Sequence, residues 1–178
     1  APESKDNDFT WKDFQTKNNS ELVAIFGNFI NRTLVLTHKY YEGIVPNATN
    51  YTKEDLLVLN SLAAAPQKIA DAIEQFKFRE AVGEWMNVAR LGNKYLAETE
   101  PWKLVKTDEE RVKTIMNISL QIACNLAILA EPFLPFTSNK LLTRFHKCFK
   151  LFIKLSSGLF FNSIRRLISL SDISRLRQ

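Results

Sequence analysis

The amino-acid sequence predicts an all-α protein, an antiparallel bundle of four or five long helices joined by short loops. Three observations support this prediction. Apolar residues recur at helical spacing over several long stretches. Glycine and proline are scarce, at 5 and 6 of 178 residues, and they fall mainly between those stretches. No segment has the alternation typical of a strand, and no internal repeat is visible. The length fits one domain, or one domain with an appendage.

The first helices are predicted from apolar spacing and capping residues. A short helical approach covers residues 9–17, and Asn19 or Ser20 is expected to cap a long helix that runs to about Tyr41. A polar loop, residues 47–50, follows this helix. The approach carries Phe9, Trp11 and Phe14, and the long helix has an apolar stripe of Leu22, Val23, Ile25, Phe26, Phe29, Ile30, Leu34 and Leu36.

The second long helix begins at a predicted capping box, Thr52-Lys-Glu-Asp55, and runs to about Phe76. Pro66 lies inside it and predicts a kink or a break, because proline removes one backbone donor. Its expected apolar stripe is Leu56, Leu59, Leu62, Ile69 and Ile73.

The remaining helices are bounded by prolines and caps. The third helix covers residues 78–99, and Pro101 with Trp102 lies in the connection that follows. A capping box, residues 107–110, is expected to start the fourth helix, which stops before Pro132. Thr137 is expected to cap a last helix that reaches at least Phe145. The inward residues of the third helix are predicted to be Ala81, Val82, Trp85, Met86, Ala89 and Tyr95.

The positive charge lies in the last part of the chain. Residues 140–178 carry a net charge of +8, whereas residues 1–139 carry −3. Nucleic-acid binding by the bundle must therefore depend on particular side chains, because its overall field does not attract phosphate. The two cysteines are too few for a disulfide framework, and Cys124 is expected to be a buried thiol.

No catalytic, cofactor or metal site is predicted. His38 and His146 have no partner at metal-ligand spacing, and Glu109 and Glu110 are best explained as residues at a helix start. No apolar stretch is judged long enough to span a bilayer, and no signal peptide is recognised, so a cytoplasmic protein is expected.

Two features favour binding. Asn28 and Arg32 are spaced i, i+4 on one face of the first long helix, and both side chains can match a base edge. Trp102 follows a proline at a helix junction and could offer an exposed indole plane for an unpaired base. The alternatives from the residues alone are a solvated helix face for the pair and a packing wedge for the tryptophan.

Three segments around these residues resemble a known family. They are Asp8-Phe-Thr-Trp-Lys-Asp-Phe14 with Asn18–Val23, Gly27-Asn-Phe-Ile-Asn-Arg32, and Asn93-Lys-Tyr-Leu-Ala-Glu-Thr-Glu-Pro-Trp-Lys103. Together they resemble the anticodon-binding domain of bacterial methionyl-tRNA synthetases. The resemblance extends through Leu129-Ala-Glu-Pro-Phe-Leu-Pro135 and covers roughly residues 1–146. It implies the helix bundle typical of class I synthetases.

The resemblance also implies function. The family joins methionine to its tRNA with ATP in a Rossmann-type catalytic domain that precedes the bundle, and the signatures of that domain are absent here. ATP is thus expected only in a catalytic domain upstream, and that domain could also hold zinc. This chain should be inactive alone. The residues that read the CAU anticodon in the family fall on Asn28, Arg32 and Trp102. Trp102 would stack on the first anticodon base, while the other two hydrogen-bond to bases. The expected partners are methionine tRNA and the protein's own catalytic domain, with no membrane.

These expectations divide the chain into a connector from an upstream domain (1–18), an anticodon-binding bundle (19–146) and a basic tail (147–178). The tail departs from the family, and its composition favours translation from a shifted reading frame; a basic amphipathic tail is the alternative. Two other functions stay open. One is the anticodon domain of a different class I synthetase, and the other is a helical interaction module without RNA binding.

Overall fold

The N-terminal part of the protein is one continuous helical run. The computed structural model describes residues 8–155, with side chains from residue 8 to residue 145. The Thr10 side chain accepts a hydrogen bond from the Asp13 backbone and caps α1 (Trp11–Lys17). The chain then continues through a π-helical segment (Asn18–Gly27) into α2 (Asn28–Tyr41). The predicted N-cap at Asn19 or Ser20 is therefore wrong, because the backbone is already helical at Lys17.

Helix α3 (Lys53–Glu74) begins as predicted. The Asp55 N–H donates to Thr52 Oγ1 at 3.3 Å, and the Thr52 N–H donates to Asp55 Oδ2 at 3.0 Å, so the capping box is confirmed. The helix continues past Pro66, and the predicted break is absent. Its buried face consists of Asp55, Val58, Leu62, Ala65, Pro66, Ile69 and Ala72. Leu56 was expected inward but is exposed, because two residues turn a helix by about 200° and place it opposite Val58.

The second half of the bundle contains α4 (Phe78–Thr99), a one-turn helix α5 (Pro101–Leu104), α6 (Glu109–Leu129) and α7 (Pro135–Leu155). Val82 of α4 was also expected inward and is exposed, since the buried face passes through Ala81 and Trp85. Val23 of the π-helical segment is exposed as well.

Two further predicted caps are wrong. Asp108, not Thr107, caps α6, and its side chain accepts from the Arg111 N–H at 3.0 Å. The Thr107 hydroxyl instead donates to the Leu104 carbonyl at 3.2 Å. Thr137 lies inside α7, which begins at Pro135. Glu109 and Glu110 do stand in the first turn of α6, and both pair with Lys113.

Helix α6 forms the centre of the bundle and contacts α2, α3, α4, α5 and α7. By length and composition alone this helix could cross a bilayer, so the expectation that no stretch is long enough is wrong. In the structure, however, 83% of an apolar 18-residue stretch of this helix is buried inside the protein, as is common for core helices. The side chain of Cys124 is buried in this helix. The all-α fold class is confirmed for the part of the chain that the structure describes.

The proposed tail, residues 147–178, falls largely outside the described residues. Its first nine residues continue the backbone of α7, and residues 156–178 are not described. The two explanations of its composition and the division of the chain into three segments stay predictions.

Candidate nucleic-acid interface

Asn28 and Arg32 lie one turn apart on the face of α2 that points away from the core. Asn28 is the first residue of α2 and is exposed, and Arg32 is half-buried. Between them, Phe29 and Ile30 are buried in the core. The apolar stripe therefore fixes the rotation of α2 about its axis and leaves the amide and the guanidinium on its outer side.

Trp102 is presented by a sharp reversal of the chain at the end of α4. Glu100 adopts a left-handed conformation, with φ 41° and ψ 57°, and its N–H donates to the Leu96 carbonyl at 3.2 Å. Pro101 then starts α5, where its fixed φ suits the first helical position. Trp102 is thus on a one-turn helix rather than in a loop, and 37% of it is exposed. Trp85, by contrast, is buried, and its indole N–H donates to the Leu126 carbonyl at 3.0 Å.

The structure brings Arg32 and Trp102 into contact. The guanidinium carbon of Arg32 lies 5.2 Å from the centroid of the Trp102 ring, within the range of a cation–π interaction. The side chains of Asn28, Arg32 and Trp102 make no hydrogen bond or ion pair with other residues described by the structure. Arg32 therefore keeps its planar fork of donors for another molecule, and part of the indole surface remains accessible.

An open groove of about 840 Å³ adjoins Asn28. It runs between the start of α2 and the start of α7. It is lined by Leu22, Val23, Ala24, Phe26, Gly27, Asn28, Asn31, Leu134 and Thr137. The groove is mostly apolar with amide groups at one side, so it could accept a planar group with polar edges.

Two side chains of α4 hold the π-helical segment that leads into α2, a role that the sequence alone did not indicate. The Asn93 amide donates to the Ile25 carbonyl at 2.8 Å and to the Ala89 carbonyl at 3.1 Å. Arg90 pairs with Glu21 of the π-helical segment at 2.6 Å. Both contacts join the π-helical segment that leads into Asn28 to the helix that precedes Trp102. Asn93 belongs to the segment that carries the family resemblance, which was the available signal.

A buried charged cluster, which we call the Asp55 cluster, consists of Asp55, Tyr95 and Arg111. The Tyr95 hydroxyl donates to Asp55 Oδ1 at 2.6 Å. Arg111 donates to both oxygens of the same carboxylate, with Nη2 at 3.0 Å from Oδ1 and Nη1 bonded to Oδ2. The Asp55 side chain is fully buried. No sequence pattern indicated this cluster, because its members come from three helices.

The environment of the Asp55 cluster shifts its pKa values. Burial raises the pKa of Asp55, but hydrogen bonds from Arg111, Tyr95 and the Thr52 backbone outweigh burial, so the pKa is lowered. Burial and the neighbouring Asp55 carboxylate raise the pKa of Tyr95 far above its ordinary value. The bond to Asp55 raises the pKa of Arg111. The cluster therefore holds an ionised carboxylate, a neutral phenol and a guanidinium at neutral pH.

The structure describes the side chain of one of the two histidines. His38 is exposed on α2, and the side chain of His146 lies outside the described residues. Among the described residues, no group of three histidines, cysteines or acids could hold a metal ion.

Comparison with known proteins identifies the family. Residues 45–154 match the sequence model of the anticodon binding domain of methionyl tRNA ligase. The chain belongs to this family. Residues 1–34 also match the class I tRNA synthetase model for methionine. The expectation from the three resembling segments is thus confirmed, and the alternative of a different class I synthetase is wrong.

Curated relatives agree with this assignment. The chain is 68% identical to the methionine–tRNA ligase of Christiangramia forsetii over 79% of its own length. It is 63% identical to that of Flavobacterium psychrophilum over 88% of its length. The matches cover 20% and 22% of those relatives, so the chain spans about a fifth of their length. The chain thus belongs to the family of class I synthetases that its sequence predicted.

Solved structures support the fold. The methionyl-tRNA synthetase of Mycobacterium tuberculosis, in complex with methionyl-adenylate, matches 75% of this chain and 27% of its own chain with a TM-score of 0.73. The free form of the same protein matches with a TM-score of 0.72. Sequence identity is 22% in both, so these likenesses establish the helix bundle alone.

Proposed function

We propose that Asn28, Arg32 and Trp102 form the surface on which this domain reads the CAU anticodon of methionine tRNA. The observation that carries the proposal is the contact between Arg32 and the half-exposed Trp102. A planar cation and an indole plane meet there on the outer surface, and neither side chain makes a hydrogen bond or ion pair with another described residue.

The chemistry suits a single-stranded loop. Unpaired bases stack on aromatic side chains, and each stacked base contributes about 1–3 kcal/mol. Trp102 would take the first anticodon base, while Arg32 donates hydrogen bonds to the edges of the anticodon bases and Asn28 both donates and accepts them. Arg32 lies over the ring of Trp102, so it would also strengthen the stack through its charge.

The wider function extends beyond this chain. The whole protein is proposed to attach methionine to its tRNA with ATP, in a catalytic domain outside the present sequence. This chain would supply anticodon recognition and no chemistry, and the cytoplasm is the proposed location. The bundle's net charge of −3 over residues 1–139 fits a domain that relies on specific contacts and on tRNA binding elsewhere in the protein.

The test compares RNA stem-loops that differ only in the anticodon. Filter binding or fluorescence anisotropy measures the affinity of the 178-residue chain for a CAU loop and for loops with the first or second base changed. Loss of matched polar groups costs about 1–3 kcal/mol, so each change should weaken binding roughly 5- to 150-fold. Equal affinity for all loops would favour the remaining alternative, a helical interaction module without RNA recognition.

A further inference from the structure

The connection that carries Trp102 is held at both of its ends by one carboxylate. Tyr95 lies near the end of α4, and Arg111 lies in the first turn of α6. Trp102 is in the chain between them. Both side chains converge on Asp55, which projects from α3. We propose that Asp55 is a positioning residue that sets the orientation of Trp102 against Arg32; this inference rests on the proposed function of the two residues.

The geometry of the carboxylate supports the proposal. Asp55 accepts hydrogen bonds from the Thr52 N–H at 3.0 Å, from the Tyr95 hydroxyl and from both terminal nitrogens of Arg111. All of these bonds are directional, and the paired bonds from Arg111 fix the angle of the guanidinium as well as its distance. The end of α4 and the start of α6 can therefore move little relative to α3.

Stability alone does not account for such a cluster. Replacement of a buried ion pair by apolar side chains of similar volume is often neutral or stabilising. The rest of α6 shows that the bundle readily buries apolar residues, since Val112, Ile115 and Met116 beside Arg111 are all fully buried. A charged cluster at this point specifies geometry, which apolar contacts do less well because they have no preferred direction.

The contact that it would control has little tolerance. The cation–π attraction requires the guanidinium within about 6 Å of the ring centroid. Arg32 lies at 5.2 Å. A shift of about 1 Å in the Trp102 turn would remove most of this contact, and it would change the angle at which the ring meets a base.

The closing experiment uses Tyr95→Phe in the 178-residue chain. This change removes one hydroxyl from the cluster and leaves the other three donors of Asp55 in place. The control is Ile69→Val, a mild core change on the same helix as Asp55 and about 21 Å along its axis. Affinity for the CAU stem-loop is measured at a temperature at which each variant is fully folded. The indole N–H resonance of Trp102, identified by its loss in Trp102→Phe, is recorded by NMR without RNA.

The proposal predicts that Tyr95→Phe shifts or broadens the Trp102 indole resonance and weakens CAU binding roughly 5-fold, the loss of about one cation–π contact. The resonance of Trp85 should stay unchanged, and Ile69→Val should alter neither readout. An unmoved Trp102 resonance with full RNA affinity in Tyr95→Phe would overturn the positioning role. If the wild-type chain binds all loops equally, the proposed function fails, while the NMR comparison still decides whether Asp55 orients Trp102.

Discussion

Gly92 of α4 lies against the ring of Phe29 of α2, and its replacement by alanine gives a sharp test of the packing behind Asn28. A Cβ at this position would stand 2.5, 2.6 and 2.8 Å from three carbon atoms of the Phe29 ring. Carbon atoms in contact are normally about 3.5–4.0 Å apart, so the ring would have to move by about 1 Å. Phe29 is fully buried and directly follows Asn28, which leaves the ring little room to move.

The same helix offers a matched control. A Cβ at Gly83 would meet no atom within 4 Å. Both changes gain the helix propensity of alanine over glycine, about 0.8–1.0 kcal/mol, so the difference between them isolates the collision with Phe29. Overpacking of a core costs about 1–3 kcal/mol. Gly83→Ala should therefore be stabilising, and Gly92→Ala should be less stable than Gly83→Ala by about 1–3 kcal/mol.

Thermal and urea unfolding followed by far-UV circular dichroism measure this difference. For a chain of this size it corresponds to a gap in Tm of about 2–12 °C. Gly92→Ala should also weaken binding to the CAU stem-loop, since movement of Phe29 displaces the start of α2. Equal stability of the two variants would refute the close approach of α4 and α2, and with it the packing argument for the position of Asn28.

Three further predictions concern the site and the Asp55 cluster. Trp102→Ala should weaken CAU binding roughly 5- to 150-fold, which corresponds to the loss of one stacked base, whereas the control Trp11→Ala should leave binding unchanged. In the full enzyme, Trp102→Ala should lower tRNA charging and spare methionine activation by ATP. Equal loss of both activities would count against the assignment. Arg32→Lys should keep the positive charge but lose the planar donor fork, so affinity for the CAU stem-loop should fall at every salt concentration tested. Wild-type affinity in this variant would contradict the role of the guanidinium. Because the pKa of Asp55 is lowered by folding, its stabilisation is present above its unfolded pKa of about 3.9 and disappears as pH falls through the folded value. The stability gap between wild type and Asp55→Asn, measured by urea unfolding, should thus be largest near neutral pH and shrink below about pH 4; a constant gap would contradict an ionised Asp55.

Much of the bundle could be predicted from the sequence because its signals are local. The Thr52 capping box involves four consecutive residues, and Pro101 marks the end of α4 by its chemistry alone. Helix existence and approximate length followed from apolar spacing. Errors arose at helix starts where several adjacent residues could act as the cap, as at α6, which is capped by Asp108 and not by Thr107. In such a case the choice depends on which backbone N–H groups the connection leaves unpaired.

The π-helical segment could not be predicted in the same way. Its residues have ordinary helical composition, and nothing in Asn18–Gly27 distinguishes an i, i+5 from an i, i+4 pattern. The tertiary contacts are more informative, since Arg90 holds Glu21 and Asn93 binds the Ile25 carbonyl. These contacts join residues almost seventy positions apart, which no local rule addresses.

The arrangement of the candidate site residues was predicted in part. The i, i+4 spacing placed Asn28 and Arg32 on one face, but only the family resemblance related them to Trp102. Their proximity depends on the crossing of α2 with the end of α4, and on the left-handed Glu100 that turns the chain before Pro101. A glutamate gives no sequence signal for such a conformation, which asparagine or glycine would have suggested.

The burial of α6 has a consequence for synthesis of the protein. A helix apolar enough for a bilayer is an aggregation hazard whenever it stands alone. Ribosomes deliver the chain from its N-terminus, and α2, α3, α4 and α5 all precede α6, so these neighbours have left the ribosome before it emerges. Of the contacting helices that the structure describes, only α7 follows. The order of the helices along the chain thus allows α6 to pack against neighbours that are already outside the ribosome when it emerges.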